Sequence, residues 1–147
     1  MLILTFGAEG RAPEALAALV SKHRVDRVID LRLTPGGREG RNGAWAGTAL
    51  QAQFGARYLW LRACAVRNLR SGLAAGESPR FVDLDAGLRT LARYFGRDRA
   101  WVFLGDAPDP QHDARGWLAQ RFQDDLAGIV VVHDRPDAPA KQEGLWG

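Results

Sequence analysis

Cysteine is nearly absent. Cys64 is the single one in 147 residues, which excludes an intrachain disulfide and a cysteine-based zinc site. Histidine is scarce too: His23, His112 and His133 stand without ligand spacing, so no structural metal is expected. Apolar runs such as 129–132 fall far short of the ~20 residues a membrane span needs. Met1-Leu2-Ile3-Leu4 lacks the basic stretch and cleavage site of a secretory leader. A cytoplasmic chain with no membrane partner is therefore expected. Lysine is almost missing: eighteen Arg stand against two Lys, and the net charge is +3. A GC-rich coding sequence favours Arg codons, so this skew alone is no nucleic-acid signal. Where Arg clusters, its planar fork still suits phosphate and carboxylate.

What is present is enough apolar residue, 46%, to fill one core, in a length that suits one domain. Leu2-Ile3-Leu4-Thr5-Phe6 reads as a strand ended by Gly7, and Leu16, Leu19 and Val20 follow Pro13 at helical spacing. Val28-Ile29-Asp30-Leu31 reads as a second strand, and a glycine-rich loop succeeds it. A short helix is predicted over 48–54, then a third strand at Tyr58-Leu59-Trp60-Leu61. The pattern fades over 64–80, which reads as a surface excursion. Leu84, Leu88, Leu91, Ala92 and Phe95 repeat at helical period within 81–95. Trp101-Val102-Phe103-Leu104 gives a fourth strand, Trp117, Leu118, Arg121, Phe122 and Leu126 an amphipathic helix, and Ile129-Val130-Val131-Val132 a fifth strand.

Near-continuous apolar strands alternating with helices predict an α/β fold. The expected form is a single three-layer Rossmann-like domain over 1–135, with a mostly parallel five-stranded sheet and helices on both faces. A loosely ordered tail is expected over 136–147.

Ligands of such folds bind beyond the carboxyl ends of the strands. The richest such place runs from Asp30 to Asn42, where Arg32, Arg38 and Arg41 sit among glycines able to bring backbone N–H groups near an anion. It matches no Walker-type or dinucleotide fingerprint, and no cofactor is expected. The bland alternative is a solvated loop with Asp30 paired to a nearby Arg. Asp113 precedes a helix and reads more readily as its N-cap than as a catalytic group. His112 is a candidate acid or base, though a loop histidine is more often simply solvated. His133 and Asp134 alternate along a strand and so point to opposite faces, against a dyad. Cys64 reads as a buried packing residue before a nucleophile, despite Arg62 and Arg67 nearby. Trp60, Trp101 and Trp117 read as core. Trp45, beside Arg41, is equally a stacking platform or a packing residue.

The order of these motifs resembles the domain-of-unknown-function family numbered 488, small α/β proteins, over roughly 2–135. Thr5-Phe6-Gly7-Ala8 is similar to that family's Thr-Ile-Gly-His opening. Asp30-Leu31-Arg32-Leu33-Thr34-Pro35-Gly36-Gly37-Arg38 resembles its Asp-Val-Arg-x-x-Pro-x-Ser-Arg motif. Tyr58-Leu59-Trp60-Leu61 is similar to its Tyr-x-His-Leu segment, and Tyr94 falls in the helix before the fourth strand, as the family leads one to expect. The family's fourth strand ends Leu-Cys-Ala-Glu, with a Pro and then Cys-His-Arg after it. Aligned on Pro110, this chain has Gly105 and Ala107 for the Cys and Glu, and Asp113, Ala114 and Arg115 for Cys-His-Arg. Thiol chemistry therefore does not carry over, although Asp106 stands one residue from the Glu position. The resemblance carries over Asp30, Arg32, Arg38 and Arg115, which describe an anion site.

The leading expectation is a binding protein whose cleft, lined by Asp30, Arg32, Arg38, Arg41, Arg115 and Trp45, holds a phosphorylated small molecule, a nucleotide or a nucleic-acid backbone. If the arginines instead pair with Asp30, Asp106 and Asp113, no anion should bind. The alternatives are a hydrolase or transferase using Asp106 or His112 as acid/base, and an inert subunit that meets a partner through 64–80.

Overall fold

Five strands alternate with four helices in a computed structural model of the chain, which describes residues 1–35, 43–69 and 77–135. The order is β1 (Leu2–Gly7), α1 (Pro13–His23), β2 (Arg27–Asp30), α2 (Gly47–Phe54), β3 (Tyr58–Trp60), α3 (Leu84–Ala92), β4 (Ala100–Gly105), α4 (Ala114–Asp125) and β5 (Val130–Asp134). All strands pair in parallel, in the order β3-β2-β4-β1-β5.

The helix starts follow local chemistry. Pro13 opens α1, where its fixed φ suits the first turn and its missing N–H costs nothing. Asp83 caps α3 by accepting from the Ala86 N–H, and Asp113 caps α4 by accepting from the Arg115 N–H.

Strand alternation sorts the core into two layers. Leu4, Phe6, Val28, Val102 and Leu104 meet Leu16, Leu19 and Val20 of α1 and Leu50 and Phe54 of α2. Ile3, Ile29, Trp101 and Phe103 meet Leu91 of α3 and Leu118, Ala119 and Phe122 of α4. Helices thus cover both faces of one sheet, in three layers. On the second face Trp101 packs edge-on to Phe122 with ring centroids 5.8 Å apart. Burial of each such side chain contributes about 1.5–3 kcal/mol.

Three sequence expectations need correction. Trp60 is 45% exposed rather than core, because β3 is a three-residue edge strand and Trp60 stands at its end. β5 is the opposite edge, so Val130 and Val132 are 57% and 46% exposed despite their apolar run. The helix expected over 81–95 starts only at Leu84, since Phe81 forms an antiparallel bridge with Val66, and it ends at Ala92 in a turn, so Tyr94 and Phe95 lie past it. That bridge pins the arms of the 64–80 excursion, with Arg67 N–H donating to the Arg80 carbonyl at 2.8 Å and Val82 N–H to the Ala65 carbonyl at 3.0 Å. Residues 70–76 of the excursion, the tail 136–147, and Arg38 and Arg41 lie outside the described residues. No described helix is long and apolar enough to cross a membrane.

Candidate functional site

The sheet order sets a switch point, where open α/β sheets form their ligand crevice. β4 lies between β2 and β1, and its chain continues into α4 on one face while β1 and β2 continue into α1 and α2 on the other. Loops that part to opposite faces leave an opening above the strand ends, the place where α/β sheets take ligands. Asp30 ends β2 there and Asp106 follows β4.

Asp30 is fully buried and accepts four hydrogen bonds. Arg32 donates three of them, from its backbone N–H (3.1 Å), Nε (2.8 Å) and Nη2 (2.7 Å), and Tyr58 Oη donates the fourth at 2.6 Å. Arg32 Nη2 also donates to the Trp45 carbonyl at 2.8 Å. The guanidinium is thereby fixed in plane, as a bidentate carboxylate fork fixes it. Nη1 is left over: it is buried without a hydrogen-bond partner, 3.7 Å from the Asp106 carboxylate.

The electrostatics follow from this packing. Burial pulls the Arg32 pKa down, but the hydrogen bond and charge of Asp30, helped by Asp106 and Tyr58, more than reverse it, and the net shift is upward. Burial and then the Asp30 charge push the Tyr58 phenol up, so it stays a donor. Asp106 is also raised: desolvation leads, and the Asp30 and Glu9 charges add to it against the pull of Arg32. Its side chain is nevertheless 56% exposed.

A second buried pair lies beside the first strand. Arg115 Nη1 donates to Asp113, and Arg115 Nη2 donates to the Pro108 carbonyl at 3.2 Å, with Nε unpartnered. Burial pushes Asp113 up to about 6 against the pull of Arg115 and of the Arg115 and Ala107 N–H groups. Gly7 and Gly105 make room for this pair, since a methyl at Gly7 would run into the Ala107 carbonyl and the Arg115 guanidinium, and one at Gly105 into the Asp113 carboxylate.

The expected site residues therefore divide. Asp30, Arg32 and Asp106 come together, and Asp113 and Arg115 form a separate pair, its Asp113 doing the capping the sequence suggests. Both arginines are held by the carboxylate two residues before them. Asp30, Arg32 and Asp106 together leave one net negative charge. Trp45 packs against Phe6 (5.7 Å) and donates its indole N–H to the Arg11 carbonyl at 2.9 Å, which favours packing over stacking. His112 is exposed in the turn Pro110–His112. His133 and Asp134 do part: His133 Nδ1 meets Thr5 Oγ1 at 2.7 Å, and Asp134 accepts from Arg11 at 2.6 Å. Partial burial, then Arg135 and Arg115, lower the His133 pKa. Cys64 is buried beneath Gly87, and desolvation followed by the Asp83 charge pushes its thiol up to about 12, which removes it as a nucleophile.

Sequence reasoning missed Tyr58 and Trp60 as neighbours of this crevice. Trp60 Nε1 donates to the Arg32 carbonyl at 2.8 Å. Both lie 28 residues from their partners, and only the β2–β3 pairing of Val28 with Tyr58 and Asp30 with Trp60 joins them. Among the described residues no group of three or more His, Cys, Asp or Glu could hold a metal. Comparison of the chain with family models, with curated proteins and with solved structures finds no match.

Proposed function

We propose that the crevice over the carboxyl ends of β1, β2 and β4 binds a phosphate-bearing ligand. One observation carries this reading: Arg32 is buried and rigidly held, yet its Nη1 has no hydrogen-bond partner and only the Asp106 carboxylate facing it at 3.7 Å. A buried guanidinium nitrogen left unsatisfied is costly, and a ligand oxygen in its place restores the bond in charge-assisted form. Arg32 pairs with Asp30 and faces Asp106, and Arg115 pairs with Asp113, the pairings expected to leave no anion site. The Arg-lined cleft is therefore given up, and the reading kept is narrower: the anion meets one edge of one guanidinium in competition with Asp106. An incoming anion either displaces that half-exposed carboxylate or binds with uptake of a proton from solvent by it. A phosphorylated small molecule, a nucleotide and a nucleic-acid backbone share this chemistry. Membership of the family numbered 488 belongs to the same proposal, on motif order.

Calorimetric titration with inorganic phosphate, ribose 5-phosphate and a short oligonucleotide tests it. Binding is expected to strengthen in Asp106→Asn, which removes the like charge, and to weaken in Arg32→Lys, which keeps charge but loses the fork. No binding by either the wild type or Asp106→Asn would end the proposal.

A second reading, a hydrolase or transferase, is favoured by Asp106 alone: its pKa is raised, it is solvent-reachable, and it lies beside a fixed guanidinium. Turnover of a phosphoester that survives Asp106→Ala would exclude it.

A further inference from the structure

Resting on the anion reading above, we propose that Trp60 is a stacking platform at this same site and that the ligand is a nucleotide. Trp60 is the last residue of the edge strand β3 and is 45% exposed, where Trp101 in the central β4 is fully buried. Exposure alone is common on a protein surface. The second observation is its anchorage: the indole N–H donates to the carbonyl of Arg32, the residue whose guanidinium carries the unpartnered nitrogen.

The register makes this juxtaposition a consequence of the sheet. Trp60 is paired with Asp30, and Tyr58 with Val28, so Tyr58, Trp60 and Asp30 share the α2 face of the sheet. Tyr58 donates to Asp30, Asp30 clamps Arg32, and Trp60 donates to the Arg32 carbonyl. A ring fixed in this way loses little conformational freedom on binding, and its face accepts any flat heteroaromatic. Trp45, the other tryptophan near Arg32, packs its ring against Phe6, which leaves Trp60 as the aromatic for the base. The two contacts then recognise the two ends of one molecule: Arg32 Nη1 takes a phosphate oxygen and Trp60 takes the base.

The test compares adenosine monophosphate with ribose 5-phosphate, which differ in the base alone, by calorimetry on the full chain. Trp60→Ala and Trp60→Phe are the variants, each checked for native circular dichroism. Stacking on an aromatic predicts that the wild type prefers adenosine monophosphate by roughly 5- to 150-fold. That preference is expected to collapse in Trp60→Ala and to survive largely in Trp60→Phe, which keeps an aromatic face without the indole N–H. Equal affinity for the two ligands would overturn the platform and leave the anion site standing. Failure of both ligands and of inorganic phosphate to bind, in the wild type and in Asp106→Asn alike, would overturn the anion reading and this inference with it. A preference that persists in Trp60→Ala would place the base elsewhere and overturn the assignment to Trp60.

Discussion

Asp30→Ala is expected to be the most damaging single substitution at the crevice. It removes four hydrogen bonds, three from Arg32 and one from Tyr58, and leaves an Arg32 guanidinium that is nearly inaccessible to solvent without its counter-charge. Breaking one side of a buried ion pair costs about 3–5 kcal/mol. Domains have about 5–15 kcal/mol in total, so about a fifth or more of the stability is at stake. At about 2–4 °C per kcal/mol for a chain of this size, the melting temperature falls by roughly 6–20 °C. Urea unfolding followed by circular dichroism measures it. The double variant Asp30→Leu/Arg32→Met removes both charges and fills the space, and its stability is expected to lie within a few kcal/mol of wild type or above it. That double variant should also fail to bind any phosphate, which separates the fold from the site. A loss under about 1 kcal/mol for Asp30→Ala would refute the reasoning, since it would mean that Arg32 finds solvent or another acceptor when Asp30 is gone.

The other predictions are simpler. The raised pKa of Asp106 means that it takes up a proton at a pH above its ordinary 3.8, so lowering the pH neutralises it earlier than an unperturbed aspartate. Affinity for sulfate, whose charge is constant in this range, should rise by about 5-fold or more as pH falls towards that value from above. Asp106→Asn should show no such rise and should match the wild type at the acid end, and parallel pH profiles would contradict this. Native Cys64 is expected to resist thiol reagents until urea unfolds the chain, because it is inaccessible and protonated; similar rates in both states would contradict its burial. Gly87→Ala should cost about 1–3 kcal/mol by overpacking Cys64 Sγ. Adding Cys64→Ala should recover most of that cost, and simple additivity in denaturant melts would disprove the contact.

Local patterns were enough for the elements and their caps. A strand of five apolar residues, a proline at a helix start, and an aspartate at positions 83 and 113 act through bonds to their near neighbours, so Asp113 was legible as a cap before its contacts were known. The alternation of these elements also implied three layers, since each apolar face needs cover. Asp30 and Arg32 were legible as candidates from the arginines of a glycine-rich loop and from the family resemblance, with pairing of Asp30 to a nearby Arg as the bland alternative, and that pairing is what forms. Tertiary structure decided the rest. The order β3-β2-β4-β1-β5 placed Asp106 against Arg32, which no spacing in the chain announces. It also decided which apolar residues are covered: Trp101 lies in a central strand and is buried, whereas Trp60, Val130 and Val132 lie in edge strands and are not. The physical reason is one of range. Propensity and capping are settled within a few residues, but burial, charge pairing and the loss of an arginine's freedom depend on which distant strand ends become neighbours.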